Sequence, residues 1–483
     1  MRTIGTPSTQ ARKLNAIASG ALPNGDPVIV NADGTVSVVA ETAVSQVIGT
    51  ATVFKAASTI HPATVYDPVN NKVLVLWSNS AASSVGTAVV GTISGTSISF
   101  GSEVVWDAGN RPEYISAAYD VASGKIVFAY SDGNNSDYGK AAVATISGTS
   151  VSFGTPVVFQ SSGSYYQSIV YDPSAGKVVV AYRDSSTAVG SAVVGTVSGT
   201  SISFGSKVTF KANDIADNNL MYDPVNQKVI NVYRSFVSAP YAIKAVVGTV
   251  SGTSISFSSE SSLNSDDTRY LTASYDENAN KIVAAYTFAS PDEGAARVLT
   301  VSGDAVTSGT EATWSATQVT YIGSVYHPLA QKVYITFTDN SNSDYRAIIP
   351  VTTTGTDATF GSKVTLLTDQ SAYGSSTYDS SGEVLLHVYR GTSSDYGYAS
   401  VFKPSYSETN LTSENYIGLA SNGYPDTAGA TIDVQGAIND RQSGLTAGQS
   451  YYVQTDGTLD TTPADPSVFA GTAISATKMI VKG

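Results

Sequence analysis

The chain has 483 residues, a net charge of −13, only 13% charged residues and no cysteine, and its 29 tyrosines far outnumber 14 phenylalanines and 3 tryptophans. The negative balance argues against a broad nucleic-acid or anionic-membrane surface, because phosphates demand clustered Lys and Arg. The lack of cysteine excludes disulfides and thiolate metal sites. No apolar run approaches a membrane span and no segment reads as a long amphipathic helix, whereas abundant Gly, Ser, Thr and Tyr suit short strands and polar turns.

The first 20 residues lack the apolar centre of a secretory signal, so export by that route is not expected. Residues 1–46 read as an arm that belongs to a small β module. It carries Gly20-Ala21-Leu22-Pro23-Asn24-Gly25, then Val28-Ile29-Val30 and the hairpin signal Asp33-Gly34-Thr35-Val36.

From Tyr66 onward a phrase repeats seven times. A Tyr followed by Asp or His and a turn, then a Lys-led apolar run, recurs at Tyr66, Tyr119, Tyr171, Tyr222, Tyr275, Tyr326 and Tyr378, at intervals of 51 to 53 residues. Eleven positions on, each copy has a second aromatic: Trp77, Tyr130, Tyr182, Tyr233, Tyr286, Phe337 or Tyr389. In the third copy, Ser168 to Tyr171 reads as a strand, 172–176 as a Pro/Gly turn and Lys177 to Tyr182 as a strand buried on both faces. Ser191 to Val197 follows, and Ser198-Gly199-Thr200 turns into a fourth strand running from Ser201 to Phe210. Four antiparallel strands, seven times over, predict an all-β chain with a seven-bladed β-propeller across 47–404. A β-solenoid is the alternative, but it needs shorter coils and open ends.

The seventh copy lacks its Ser-Gly-Thr hairpin after Val401-Phe402. Ile48 to Ala56 aligns without gaps on Phe204 to Ala212, so residues 47–54 are expected to pair beside Val401 and remove an exposed edge.

Residues 405–483 leave the period and echo the arm, so the N- and C-terminal segments are expected to form one small β module together. Gly444-Leu445-Thr446-Ala447-Gly448, Tyr451-Tyr452-Val453 and Asp456-Gly457-Thr458-Leu459 match its three features, and Gly471-Thr472-Ala473 matches Gly49-Thr50-Ala51. With Glu414-Asn415-Tyr416-Ile417-Gly418 and Ser443, this stretch resembles a C-terminal module of structural and tail-fibre-like virion proteins of marine tailed bacteriophages. The resemblance implies a virion protein on a tail or capsid exterior, oligomeric, attached through this module to other virion proteins. The function then expected is a tail-fibre or receptor-binding component that contacts a host-surface glycan or protein. A purely architectural decoration protein and a carbohydrate-active enzyme are the alternatives.

Loops joining strands two and three, and those joining strand four to the next strand one, share one face of a propeller and vary most between copies. They include Ser131 to Asp137, Ser235 to Tyr241 and Asp339 to Tyr345, and also Asp107 to Tyr114, Ser161 to Tyr166, Asn213 to Asn219 and Asn264 to Tyr270. Their Tyr, Ser, Asn and Asp content is the mixture binding loops use. The candidate ligand residues are Arg111, Tyr114, Asp137, Tyr138, Tyr165, Tyr166, Tyr241, Arg269, Tyr270, Tyr345 and Tyr396. Four of them, Asp137, Tyr138, Tyr345 and Tyr396, belong to a recurring Ser-Asp-Tyr that starts at Ser136, Ser343 and Ser394. Asp132 to Asp137 and Asp339 to Asp344 space oxygen ligands like a calcium loop, but such residues are also ordinary turn formers, and no metal or cofactor is assigned. His61, His327 and His387 show no Ser or carboxylate partner, so catalysis is not expected.

Overall fold

The computed structural model describes residues 12–80, 84–109, 111–236, 239–290 and 292–482. The start of the segment read for a signal, Asn110 of the 107–114 loop and 237–238 of the 235–241 loop lie outside the described residues. Among the described residues there is no α-helix, and the strands pair antiparallel. The chain divides into two compact units, one made of 1–45 with 405–483 and the other of 46–404.

In the larger unit each phrase organises four strands. The first set is Thr59–Asp67, Lys72–Asn79, Val85–Ser94 and a fourth strand in two pieces, Ser97–Phe100 and Val104–Asp107. In six of the seven sets the Asp after the phrase tyrosine makes the turn. Asp67 Oδ1 accepts the amides of Val69 and Asn70, Asp172 those of Ser174 and Ala175, and Asp223 those of Val225 and Asn226. His327 does the same with its ring, where Nδ1 accepts the amide of Ala330 at 3.0 Å, so the proton sits on Nε2, 3.1 Å from the carbonyl of Glu383.

Two details differ from the sequence reading. The fourth strand does not run unbroken from 201 to 210 but breaks between Phe204 and Val208. The cause is a close crossing, since a Cβ on Gly205 would lie 1.8 Å from the carbonyl of Thr253 in the next set's hairpin. Secondly, the third and seventh first strands begin far earlier than expected. Val157–Asp172 and Val364–Asp379 each serve as the last strand of one set and the first of the next.

Neighbouring first strands touch in chain order, and that of the seventh set lies against that of the first. Ser116, Ser168 and Ser375 Oγ each accept a backbone N–H from the following set, from Ile169, Leu220 and Thr64 respectively. Val47–Ile48 and Thr52–Lys55 pair with Gly397–Lys403, Ile48 opposite Phe402 and Val53 opposite Tyr398. Gly49 crosses the Thr96 carbonyl just as Gly205 crosses Thr253.

The second aromatics are buried between sets. Trp106 packs on Tyr130 with centroids 4.7 Å apart, Phe159 on Tyr182 at 5.2 Å, Phe210 on Tyr233 at 5.3 Å and Phe54 on Trp77 at 5.2 Å. A buried tyrosine must satisfy its hydroxyl. Tyr130 donates to Asp107 Oδ2 at 2.5 Å and Tyr233 to Glu260 Oε2 at 2.6 Å.

The smaller unit contains two five-stranded sheets with one topology. Counted along the chain, strands one to five of the first sheet are Lys13–Ile17, Pro27–Val30, Val36–Val38, Tyr416–Ala420 and Gly429–Asp433. Those of the second are Ile438–Asn439, Ser450–Val453, Leu459–Asp460, Val468–Ser475 and Lys478–Val481. Both sheets are ordered 1-5-4-2-3. Their hairpins share one chemistry, because Thr35 N–H and Oγ1 donate to Asp33 as Thr458 N–H and Oγ1 donate to Asp456. The unit is therefore a duplication, and residues 46–404 are inserted between the third and fourth strands of its first copy. Glu41–Val44 pairs with Tyr406–Thr409 at the insertion point.

Candidate ligand-binding site

The ladder between first and second strands slips at one equivalent place in all seven sets, for example between Ile60 and Ala63, Glu113 and Ser116, and Thr320 and Gly323. Within each slip one residue, five before the phrase tyrosine, is left-handed. These are His61 (φ 50°), Tyr114 (51°), Tyr166 (53°), Asp217 (51°), Tyr270 (40°), Tyr321 (48°) and Tyr373 (50°). Bulges of this kind ordinarily place glycine there, and a left-handed side-chain-bearing residue costs about 1–3 kcal/mol.

The side chains form an arc of rings. Centroids are 5.0 Å apart for Tyr166–Tyr114, 5.5 Å for Tyr114–His61, 5.0 Å for His61–Tyr373, 5.0 Å for Tyr373–Tyr321 and 5.6 Å for Tyr321–Tyr270. Asp217 takes the remaining position, where its charge acts on both Tyr166 and Tyr270. All of these except Tyr166 line an open cavity of about 240 Å³, whose other walls are Pro62, Ile115, Leu271, Ile322 and Gly374. That volume lies just below the usual range of small-molecule sites, roughly 300–1,000 Å³.

Burial, with the charges of Arg111 and Arg390, lowers the pKa of His61 to about 4, so its imidazole is neutral at pH 7. Burial raises the Tyr114, Tyr166, Tyr270 and Tyr321 phenols, which stay protonated and able to donate. Asp217 Oδ2 accepts Nε–H of Arg234 at 2.8 Å, and burial raises its carboxyl despite that partner. The cavity thus offers flat apolar ring faces, phenol donors and one oriented carboxylate, an arrangement suited to a small polar ring.

Of the eleven sequence candidates, Tyr114 and Tyr270 line the cavity and Tyr166 extends the arc. The other eight do not line it. Tyr165 packs on Tyr114 at 5.7 Å and donates to Asp137 Oδ2 at 2.7 Å, a bond that helps push its pKa up to about 12. Arg111 pairs with Glu113 at 2.9 Å and Arg269 with Asp292 at 3.3 Å. Tyr138 and Tyr345 start third strands opposite Asp132 and Asp339, after turns in which Asp137 and Asp344 are left-handed. Tyr396 is 36% exposed. Tyr241 stacks on Phe236 at 4.7 Å, with the Arg234 guanidinium over both rings.

The sequence reading missed His61, Asp217, Tyr321 and Tyr373. Their signal was the shared offset from the phrase tyrosine, which only the repeat alignment exposes. It also left His387 without a serine partner. Ser376 Oγ lies 2.7 Å from His387 Nδ1, but the ring is buried and held neutral by burial and by Arg346. In the two loops spaced like calcium sites the leading carboxylates are taken by lysines. Asp132 pairs with Lys140 at 2.5 Å and Asp339 with Lys363. No three His, Asp or Glu side chains among the described residues converge to hold an ion.

No family model matches the chain, and no curated protein matches it. Solved structures that match include a triple arginine-to-alanine mutant of AofleA from Arthrobotrys oligospora. It has a TM-score of 0.41 and 9% identity, and the match covers 67% of this chain and 88% of that one. A likeness that weak carries no argument about fold or function.

Proposed function

We propose that residues 46–404 form a seven-bladed β-propeller whose aromatic mouth binds a saccharide, and that the protein is a host-recognition component of a virion. The duplicated terminal unit serves attachment to other virion proteins in an oligomer, as its resemblance to phage structural modules implies. In support of the ring, first strands neighbour one another cyclically and the 47–55 segment supplies the seventh set's missing strand.

The observation that carries the binding reading is the arc from Tyr166 to Tyr270 with Asp217 in its gap. Ring faces take the apolar side of a pyranose, while phenols and a carboxylate orient its hydroxyls. A glycoside hydrolase would need two carboxylates flanking the bond. Asp217 is the one carboxylate among the described lining residues, so we adopt binding rather than turnover.

The test is calorimetric titration of the full chain with host-surface saccharides, alongside Tyr321→Ala and Tyr373→Ala. Each variant is expected to weaken binding at least tenfold. Binding that survives both substitutions unchanged, or no binding to any saccharide, refutes the mouth as the site.

A further inference from the structure

We infer that the saccharide held at this mouth is acidic, bearing a carboxylate or sulfate, and that Arg346 selects it. The inference rests on the saccharide reading above and adds its charge.

Three departures from the repeat meet at one point of the wall. Gly374 stands where the fifth and sixth sets carry Leu271 and Ile322 and the first carries Pro62. Arg346 is the second residue of its third strand, at the place where five other sets have glycine, such as Gly294 and Gly397. His387 occupies a second-strand position that is apolar in five of the other six sets, as Val180 and Ile335 illustrate, and asparagine in the fourth, at Asn231.

Arg346 is 0% exposed. Its Nη1 donates to the carbonyl of Tyr321 at 2.8 Å and to Thr338 Oγ1 at 3.1 Å, and its Nη2 donates to Thr336 Oγ1 at 3.3 Å. Its Nε donates to His387 Nε2 at 2.7 Å, which leaves the imidazole proton on Nδ1, facing Ser376. Every one of these partners is neutral, and no carboxylate among the described residues pairs with the guanidinium. The other arginines near the mouth do have acids. Arg183 pairs with Asp214, Arg234 with Asp217 and Arg390 with Asp395.

The unbalanced charge lies directly behind the lining. A Cβ on Gly374 would stand 2.6 Å from Nη2, and the carbonyl that Nη1 bonds belongs to Tyr321. Burial lowers the pKa to about 9, so the group stays charged at pH 7. An uncompensated buried charge is strongly unfavourable, and a ligand of opposite sign relieves it. Aromatic cages also take cations, but a cation here would meet Arg346 across the wall.

Calorimetry on the full chain tests this with three probes: a tri-uronate, its carboxyl-reduced neutral counterpart and a sulfated neutral trisaccharide. At least one anionic probe is expected to bind tenfold or more tightly than the neutral one, with affinity falling as salt rises. Which anionic probe wins separates carboxylate from sulfate. Arg346→Lys should keep the preference, whereas Arg346→Met should erase it, so that anionic and neutral probes bind alike. Should Arg346→Met fail to fold, the wild-type preference and its salt dependence decide. Equal binding of all probes without salt dependence overturns the acidic ligand and leaves the saccharide reading standing. Absence of binding by every probe overturns both.

Discussion

Tyr321 offers the sharpest test of how the mouth is built, because backbone and side chain there make opposite demands. In an ordinary strand glycine is less stable than alanine by roughly 0.5–1 kcal/mol. At φ 48° the order should reverse, since a left-handed L-residue costs about 1–2 kcal/mol that glycine avoids. Both Tyr321→Ala and Tyr321→Gly lose ring contacts to Tyr270 and Tyr373, each worth about 0.5–1.5 kcal/mol beyond area burial. The alanine variant should therefore lose about 2–3 kcal/mol and the glycine variant about 1 kcal/mol less. Paired thermal melts would show this as a midpoint gap of no more than about 2–4 °C. Saccharide affinity should fall equally in both, because both lack the ring. If alanine proves as stable as glycine, the strain argument fails, and with it the claim that these positions keep side chains for a purpose.

Phe54→Ala should destabilise the larger unit by about 3–5 kcal/mol, the usual loss for a buried aromatic, because Phe54 seats the 52–55 strand on Trp77. Denaturant unfolding indistinguishable from wild type would mean that this strand does not close the seventh set. For His61, the folded pKa of about 4 lies below the unfolded value near 6.5, so only the unfolded chain takes a proton between them. Stability is then lost as pH falls from 6.5 towards 4, by up to about 1.4 kcal/mol per unit. His327 and His387, whose pKa values burial also lowers, add to the same slope, so His61→Gln should reduce it without abolishing it in pH-resolved melts, and an unchanged slope would exclude a contribution from His61. Replacing residues 45–405 by Asn-Gly should yield a small folded β protein, because Val44 and Tyr406 are register partners and a two-residue Asn-Gly loop suits such a hairpin. A coil-like circular dichroism spectrum would refute the insertion.

The four-strand content of each phrase was legible because Asp-led turns and doubly buried runs such as Lys177 to Tyr182 are local signals. The Asp-Gly-Thr hairpins of the two ends were legible for the same reason. The echo between the ends and the ungapped match at 48–56 also announced two long-range pairings, but the way the strands of the two ends interleave stayed hidden. Nothing local to Tyr416 or Ile432 says that they complete a sheet begun at Lys13, since the intervening chain exceeds any pattern window. The candidate site suffered similarly. Loops were favoured because they vary, yet the mouth is built by strand residues. Tyr321 and Tyr373 sit in runs that read as plain strand, and the bulge that turns them left-handed leaves no mark in composition. Arg346 was invisible for another reason, because a lone arginine in a strand reads as solvated until its burial is known.

The seven left-handed positions bear most directly on function. The scaffold repeats one bulge seven times, and glycine would satisfy that backbone with least strain at every one. The chain places glycine at none of them, although it has 42 glycines and uses them where strands cross, as at Gly49 and Gly205. Five tyrosines, a histidine and an aspartate are held there against backbone preference, at a cost of about 1 kcal/mol or more apiece. Packing alone does not account for this, because the arc faces an open cavity rather than a core. Strain that recurs at seven equivalent positions, six of which line one open cavity, supports the binding role proposed for that cavity.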